Sequence, residues 1–151
     1  MTWPSDPVRS LIVDTIKDAT LIGSPGPTEW DQMKPLGANS WRRFTVLVDN
    51  GNIESLTDAP AIGATGIAYL QRVYTVTVYY ERGKNKQSIG ADSDAMTDDA
   101  ERLVGAILRM NYDYPNTGLE LLKPAPWTII SLPNGQASVE IQLSARVRRS
   151  L

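Results

Sequence analysis

"SVEIQLSARVRRSL", residues 138–151, decides how this chain is read. Val139, Ile141, Leu143, Ala145 and Val147 alternate with Glu140, Gln142, Ser144, Arg146 and Arg148. A period of two places the first set on one face of a strand and the second on the other. One face is apolar enough for a core. The second is polar and carries arginine, and its purpose is the question the rest of the chain must answer.

Just upstream, Pro133-Asn134-Gly135 separates this strand from "GLELLKPAPWTIISL". Asn-Gly between two β-patterned runs is the strongest short hairpin signal. Pro124 and Pro126 remove ladder donors early in the first run, so an edge position or a bulge is expected there. Before it, Met96, Ala100, Leu103, Val104, Ile107 and Leu108 follow helical spacing. Thr97 is the expected cap, with Ser93 the alternative. Asp98, Asp99 and Glu101 would then fill the first turn, at the positive end of the helix dipole, with Arg109 near the negative end.

Further out lies the longest β-like run, "IAYLQRVYTVTVYYERG" (67–83). Tyr74, Val76, Val78 and Tyr80 share one face; Val73, Thr75, Thr77 and Tyr79 share the other, as in a central strand. From Tyr69 to Arg82 it would span roughly 45 Å, more than a small core needs. Either a bend near Gln71 and Arg72 divides it, or its first half projects as a hairpin arm with the end of the preceding loop. Projection is the favoured reading. "WRRFTVLVDNG" (41–51) reads as a strand closed by a turn at Asp49-Asn50-Gly51, and 52–66 as a long loop. At the start, Asp6 caps and Pro7 opens a helix whose stripe is Val8, Leu11, Ile12, Ile16 and Ala19. Gly23 and Pro25 end it, and the irregular stretch 23–40 follows. The expected fold is a single α+β domain over 1–151: a mostly antiparallel sheet with two main helices packed on one face, and long loops.

Composition narrows function. The 151 residues carry 15 basic and 17 acidic side chains, for a net charge of −2, which gives no general attraction for phosphate backbones. No stretch approaches a membrane span, and no secretory signal is seen. Cysteine and histidine are both absent, which removes disulfides, thiolate nucleophiles, histidine bases and the usual zinc sets. "AIGATG" (61–66) lacks the Gly-Lys-Ser/Thr ending and the following helix of a phosphate loop. Asp92, Asp94, Asp98 and Asp99 do not match a calcium-loop spacing and read as helix-start residues. Asp113, Glu120 and Glu140 are isolated. No catalytic residue, cofactor or metal site is assigned, and no enzymatic activity is expected. Two basic clusters remain as candidate subunit-interface residues: Arg82, Lys84 and Lys86 at a polar turn, and Arg146, Arg148 and Arg149 at the C-terminus.

The opening helix "DPVRSLIVDTIKDA", the long strand "YTVTVYYERG", the helix "TDDAERLVGAILRM" and the closing "ASVEIQLSARVRR" together resemble the tail terminator (tail completion) proteins of long-tailed bacteriophages. The resemblance is one of element order over most of the chain, with no fixed residue motif to carry over. It implies a virion structural protein of the tail and neck, assembled in the bacterial cytoplasm as a homo-oligomer, a hexameric ring. Such rings cap the tail tube and join it to a neck or connector protein, with DNA passing through. No small-molecule substrate and no membrane are implied. Another head–tail joining protein, a neck adaptor or a tail-tube subunit, is the alternative within that class. From a different class, a single-strand nucleic-acid module would use Tyr74, Tyr79, Tyr80 and Arg82 as a stacking platform.

Overall fold

The computed structural model describes residues 6–19, 28–29, 42–57, 67–80, 89–131 and 137–150. The elements are α1 (Pro7–Lys17), β1 (Thr28–Glu29), β2 (Arg42–Thr57), β3 (Ile67–Tyr80), α2 (Ile89–Leu108), α3 (Tyr114–Thr117), β4 (Leu119–Pro124), β5 (Thr128–Ser131) and β6 (Ala137–Ser150). They form one six-stranded sheet in the order β1-β2-β3-β6-β4, with β5 also on β6. Only the two-residue β1 pairs in parallel; every other pairing is antiparallel. The fold is α+β, as the sequence pattern predicts.

One register line organises the core. Val46, Val76 and Ile141 lie abreast, as do Phe44, Val78 and Val139, because β3 is paired along its whole length on both sides. These side chains are fully buried beneath the apolar faces of α1 and α2: Val8, Ile12, Val13 and Ile16 from one, Met96, Ala100, Leu103 and Ile107 from the other. In β6, alternate residues from Val139 to Val147 are all buried, which confirms the period-two reading of the closing strand.

The helix starts differ in outcome. Asp6 caps α1 as expected, its Oδ1 accepting from the N–H groups of Val8 (3.0 Å) and Arg9 (3.2 Å). In contrast α2 begins at Ile89, eight residues before Thr97 and ahead of Ser93, so neither is the cap. Asp98, Asp99 and Glu101 therefore sit inside the helix and are not first-turn residues. Asp98 pairs with Arg102 one turn on, at 2.6 Å, and Asp99 is buried. Leu108, placed in the apolar stripe from sequence, is 59% exposed.

The turn expected at Asp49-Asn50-Gly51 is a bulge. The β2–β3 register jumps between Val48 and Asn50, leaving Asp49 as the extra residue, and jumps again between Ile53 and Ser55. Turn-forming residues serve equally in a bulge, where one residue must leave the ladder. Residues 52–57 are consequently strand; the remainder of the expected loop, 58–66, lies outside the described residues, as does the stretch 30–41. No bend divides β3 at Gln71 and Arg72. Its first half does pair with the preceding segment, but it also pairs with β6, so the extension is three strands wide and is not a free arm.

The run 119–131 splits at 125–127, which contains Pro126; Pro124 is the last residue of β4 and is paired with Leu143, and Ala125 N–H still donates to Gln142 O at 2.8 Å. β4 then takes the C-terminal half of β6 and β5 its N-terminal half, both at the edge, with a register shift between Leu119 and Leu121. Pro133-Asn134-Gly135 lies outside the described residues, though β5 and β6 pair as that turn requires.

Candidate functional site

Strand alternation gives the sheet a second face, opposite α1 and α2. Going across from β2, it presents Arg43, Thr45 and Leu47, then Tyr69, Gln71, Val73, Thr75, Thr77 and Tyr79. Beyond these come Ser138, Glu140, Gln142, Ser144, Arg146 and Arg148, with Leu121 and Lys123 on the outer strand. Toward the β1–β5 end of this face Thr45, Thr77 and Ser138 are buried. Toward the other end it opens into a groove of about 380 Å³, which Val73, Leu121, Lys123, Ser144 and Arg146 help to line.

Two of the contacts that hold Arg146 in that groove are with Tyr69 and Glu120. Its guanidinium lies 4.6 Å from the centre of the Tyr69 ring and its Nη1 is 3.6 Å from Glu120 Oε2. Both partners follow from register, since Arg146 is opposite Gln71 on β3, next to Tyr69, and opposite Leu121 on β4, next to Glu120. A cation on a ring and beside a carboxylate is fixed in direction at a cost of only part of its charge. Lys123 and Arg148 extend from the same face and are exposed. The Arg148 main chain is anchored, its N–H donating to Gly118 O at 2.8 Å.

The C-terminal arginines do not form one cluster. Arg149 is opposite Ala68, on the helix side, while Arg146 and Arg148 are on the open side, because adjacent strand residues point apart. Arg82, Lys84 and Lys86 lie outside the described residues. The stacking platform is not assembled either. Tyr74 and Tyr80 are buried on the helix side, at 0% and 2% exposure, whereas Tyr79 is on the open side.

Those two buried tyrosines have another task, one that sequence reasoning missed. Each ties a helix to β3. Tyr80 Oη donates to Asp99 Oδ2 of α2 at 2.7 Å, in the core. Tyr74 Oη donates to Asp6 Oδ2 at the start of α1 at 2.8 Å, and itself accepts from Arg72 Nη1 at 3.2 Å. Arg72 completes the triangle with a 3.3 Å ion pair to Asp6. Burial, with the Asp6 carboxylate adding to it, pushes the Tyr74 phenol up to about 12, against the pull of Arg72. The phenol is a fixed donor to Asp6. The signal was present in the pattern: Asp99 falls between Met96 and Leu103 on the apolar stripe, and a buried tyrosine hydroxyl requires a partner.

Among the described residues no group of three potential ligands could hold a metal ion, and no helix is long and apolar enough to cross a membrane. Asp98 and Asp99 are engaged with Arg102 and Tyr80, so the acidic set of α2 does not converge. What the arrangement offers is a surface: an open sheet face with a fixed arginine and a groove. No protein-family model matches this chain, and no curated protein is significantly similar to it in sequence.

Proposed function

We propose that this protein is a tail terminator of a long-tailed phage or phage-like particle, a structural subunit that closes a hexameric ring on the end of a tail tube. The observation that carries this reading is the disproportion between sheet and core. β2 and β3 run 16 and 14 residues, so β3 spans about 45 Å, whereas the 11-residue α1 spans about 16 Å and the 20-residue α2 about 30 Å. Among the described residues no helix lies on one sheet face, and Leu47 to Ile53 of β2 are exposed. Surplus sheet of this kind is costly to a monomer, which gains nothing from unburied strand, and useful to a subunit whose neighbours cover it. A closing ring requires two different contact surfaces on each copy, and an open face plus a helical face supplies them.

The test has two arms. Light scattering after size exclusion, with negative-stain microscopy, should find a ring. Tail-tube subunits polymerised with and without the protein should differ: with it, tubes stop at a defined length and carry a capped end. Tubes of unchanged length and end structure would refute the terminator role. Self-stacking into long tubes would instead identify a tube subunit. Salt-sensitive oligonucleotide binding would be required of the nucleic-acid alternative, whose Tyr74 and Tyr80 are buried.

A further inference from the structure

We infer that the outer edge of β2 pairs with the same edge of a second copy of this chain, antiparallel about a two-fold axis at Asn52. The inference goes beyond the ring reading and does not depend on it. It begins with how the edges of this sheet are closed. In an antiparallel ladder alternate residues turn both backbone groups toward the same neighbour. On β4, Leu122 turns outward: its N–H donates to Tyr112 Oη at 3.3 Å, and its carbonyl accepts from the same hydroxyl at 3.4 Å. Pro124, next in that outward row, has no N–H to offer. On β2, β1 covers Arg43 and Phe44, and Arg9 Nε donates to Val46 O at 2.7 Å. Past Val46 no strand pairs with the outer side of β2 among the described residues, and residues 47–53 are all exposed. Since Val46 O points away from β3, the register carries the outward row through Val48 and, after the bulge at Asp49, to Gly51 and Ile53.

The side chains along this edge complement themselves. Gly51 and Ile53 lie opposite Arg72 and Leu70, on the helix side of the sheet. Ile53 is 58% exposed there. Gly51 leaves a gap beside it, a pocket of about 230 Å³ with Leu70 and Arg72 among its walls. Pairing about Asn52 sets Gly51 of each copy opposite Ile53 of the other. Each isoleucine then enters the other copy's pocket, while Gly51 and Ile53 exchange N–H···O bonds in both directions. The bulges between Val48 and Asn50 and between Ile53 and Ser55 bracket the regular stretch 50–53. They fix the register and stop the added ladder from growing. Like edge joins like edge, so the contact closes at two copies and is separate from the head-to-tail contacts of a ring.

The chain has no cysteine, so a single introduced cysteine reports only contacts between copies. On the axis, Asn52 faces its counterpart as a non-hydrogen-bonded pair with Cα atoms about 4.5 Å apart, within disulfide range. Full-length Asn52→Cys, oxidised mildly with glutathione disulfide and read on non-reducing gels, should therefore form a linked dimer about tenfold or more faster than Leu47→Cys. Leu47 is also exposed, but its two copies lie roughly 30 Å apart across this axis. Adding Ile53→Lys to Asn52→Cys removes the side chain that fills the pocket and should slow the link by about tenfold. Circular dichroism and thermal unfolding verify that each variant is folded. Equal linking of the two cysteine variants, or a fast link that survives Ile53→Lys, overturns the contact. A fast link in a protein that forms no ring supports the contact and counts against the ring reading; rings without the link do the reverse.

Discussion

β2 and β6 flank the same central strand along its whole length and have opposite fates. On β6 every helix-side residue from Ala137 to Val147 is buried, and near its end Leu119 and Gly118 pack against it. On β2 the residues from Leu47 to Ile53 are all exposed, with Leu47, Val48 and Ile53 at 48%, 47% and 58%. Pairing with β3 alone therefore sustains β2 past the core, since ladder hydrogen bonds do not depend on what covers the face. Strand length in this protein is set by the ladder, while stability is concentrated where helices or β4 cover it. The exposed part of β2 and the open face are thus free to serve contact.

Substitutions on the two strands sharpen that contrast. Ile141→Ala on β6 should cost about 3–4 kcal/mol in denaturant unfolding, because the site is enclosed on all sides and cannot collapse. Gly118→Ala should cost about 2–3 kcal/mol. Gly118 has φ +72, and an added Cβ would lie 2.3 Å from the carbonyl oxygen of Arg148, backbone that cannot step aside. Asp6→Ala removes a helix cap and the Tyr74 acceptor together and should cost about 1–2 kcal/mol. Ile53→Ala on exposed β2 should change stability by under about 0.5 kcal/mol. A large loss at Ile53 in dilute monomer would break the comparison.

Alkaline pH probes the point where the covered and uncovered regions meet. Tyr74 is raised from 10.0 to about 12 in the folded protein. The folded state thus holds the phenolic proton more tightly than the unfolded chain. The resulting stability is fully present below pH 10 and is lost as pH rises through about 12. Unfolding measured across pH 9–12 should show this decline, and Tyr74→Phe should remove the part linked to Tyr74 while leaving that of other groups. An unchanged decline in the variant would mean that Tyr74 titrates normally.

Legibility followed the distance over which each signal acts. The Asp6 cap of α1 and the alternation of β6 are local patterns that the structure repeats, and the α1 stripe holds at Val8, Ile12 and Ile16, with Val13 joining the core, Leu11 only partly buried and Ala19 beyond the helix end at Lys17. Asp49-Asn50-Gly51 was misread because a turn and a bulge ask the same of a residue; what separates them is whether a partner strand continues past it, and β3 does. The start of α2 was placed late because the acids from Asp98 to Glu101 imitate a first turn, while their real partners, Arg102 and Tyr80, lie on the next turn and on another strand. Of the candidate interface, Arg146 and Arg148 were legible as a polar strand face, but Glu120 and Tyr69, which orient Arg146, come from two different strands.

By itself, then, the sequence determined periodicity: which residues of each strand and helix share a side, and that no cysteine or histidine chemistry is available. Periodicity depends only on backbone geometry, which is the same in any environment. Tertiary structure alone decided which shared sides are covered. The question raised by Arg146, Arg148 and Arg149 shows the difference. Alternation already separated Arg149 from the other two, yet only the order of strands could set Arg146 on Tyr69 beside Glu120 and bring Lys123 to the same groove, because that neighbourhood is assembled from segments distant along the chain.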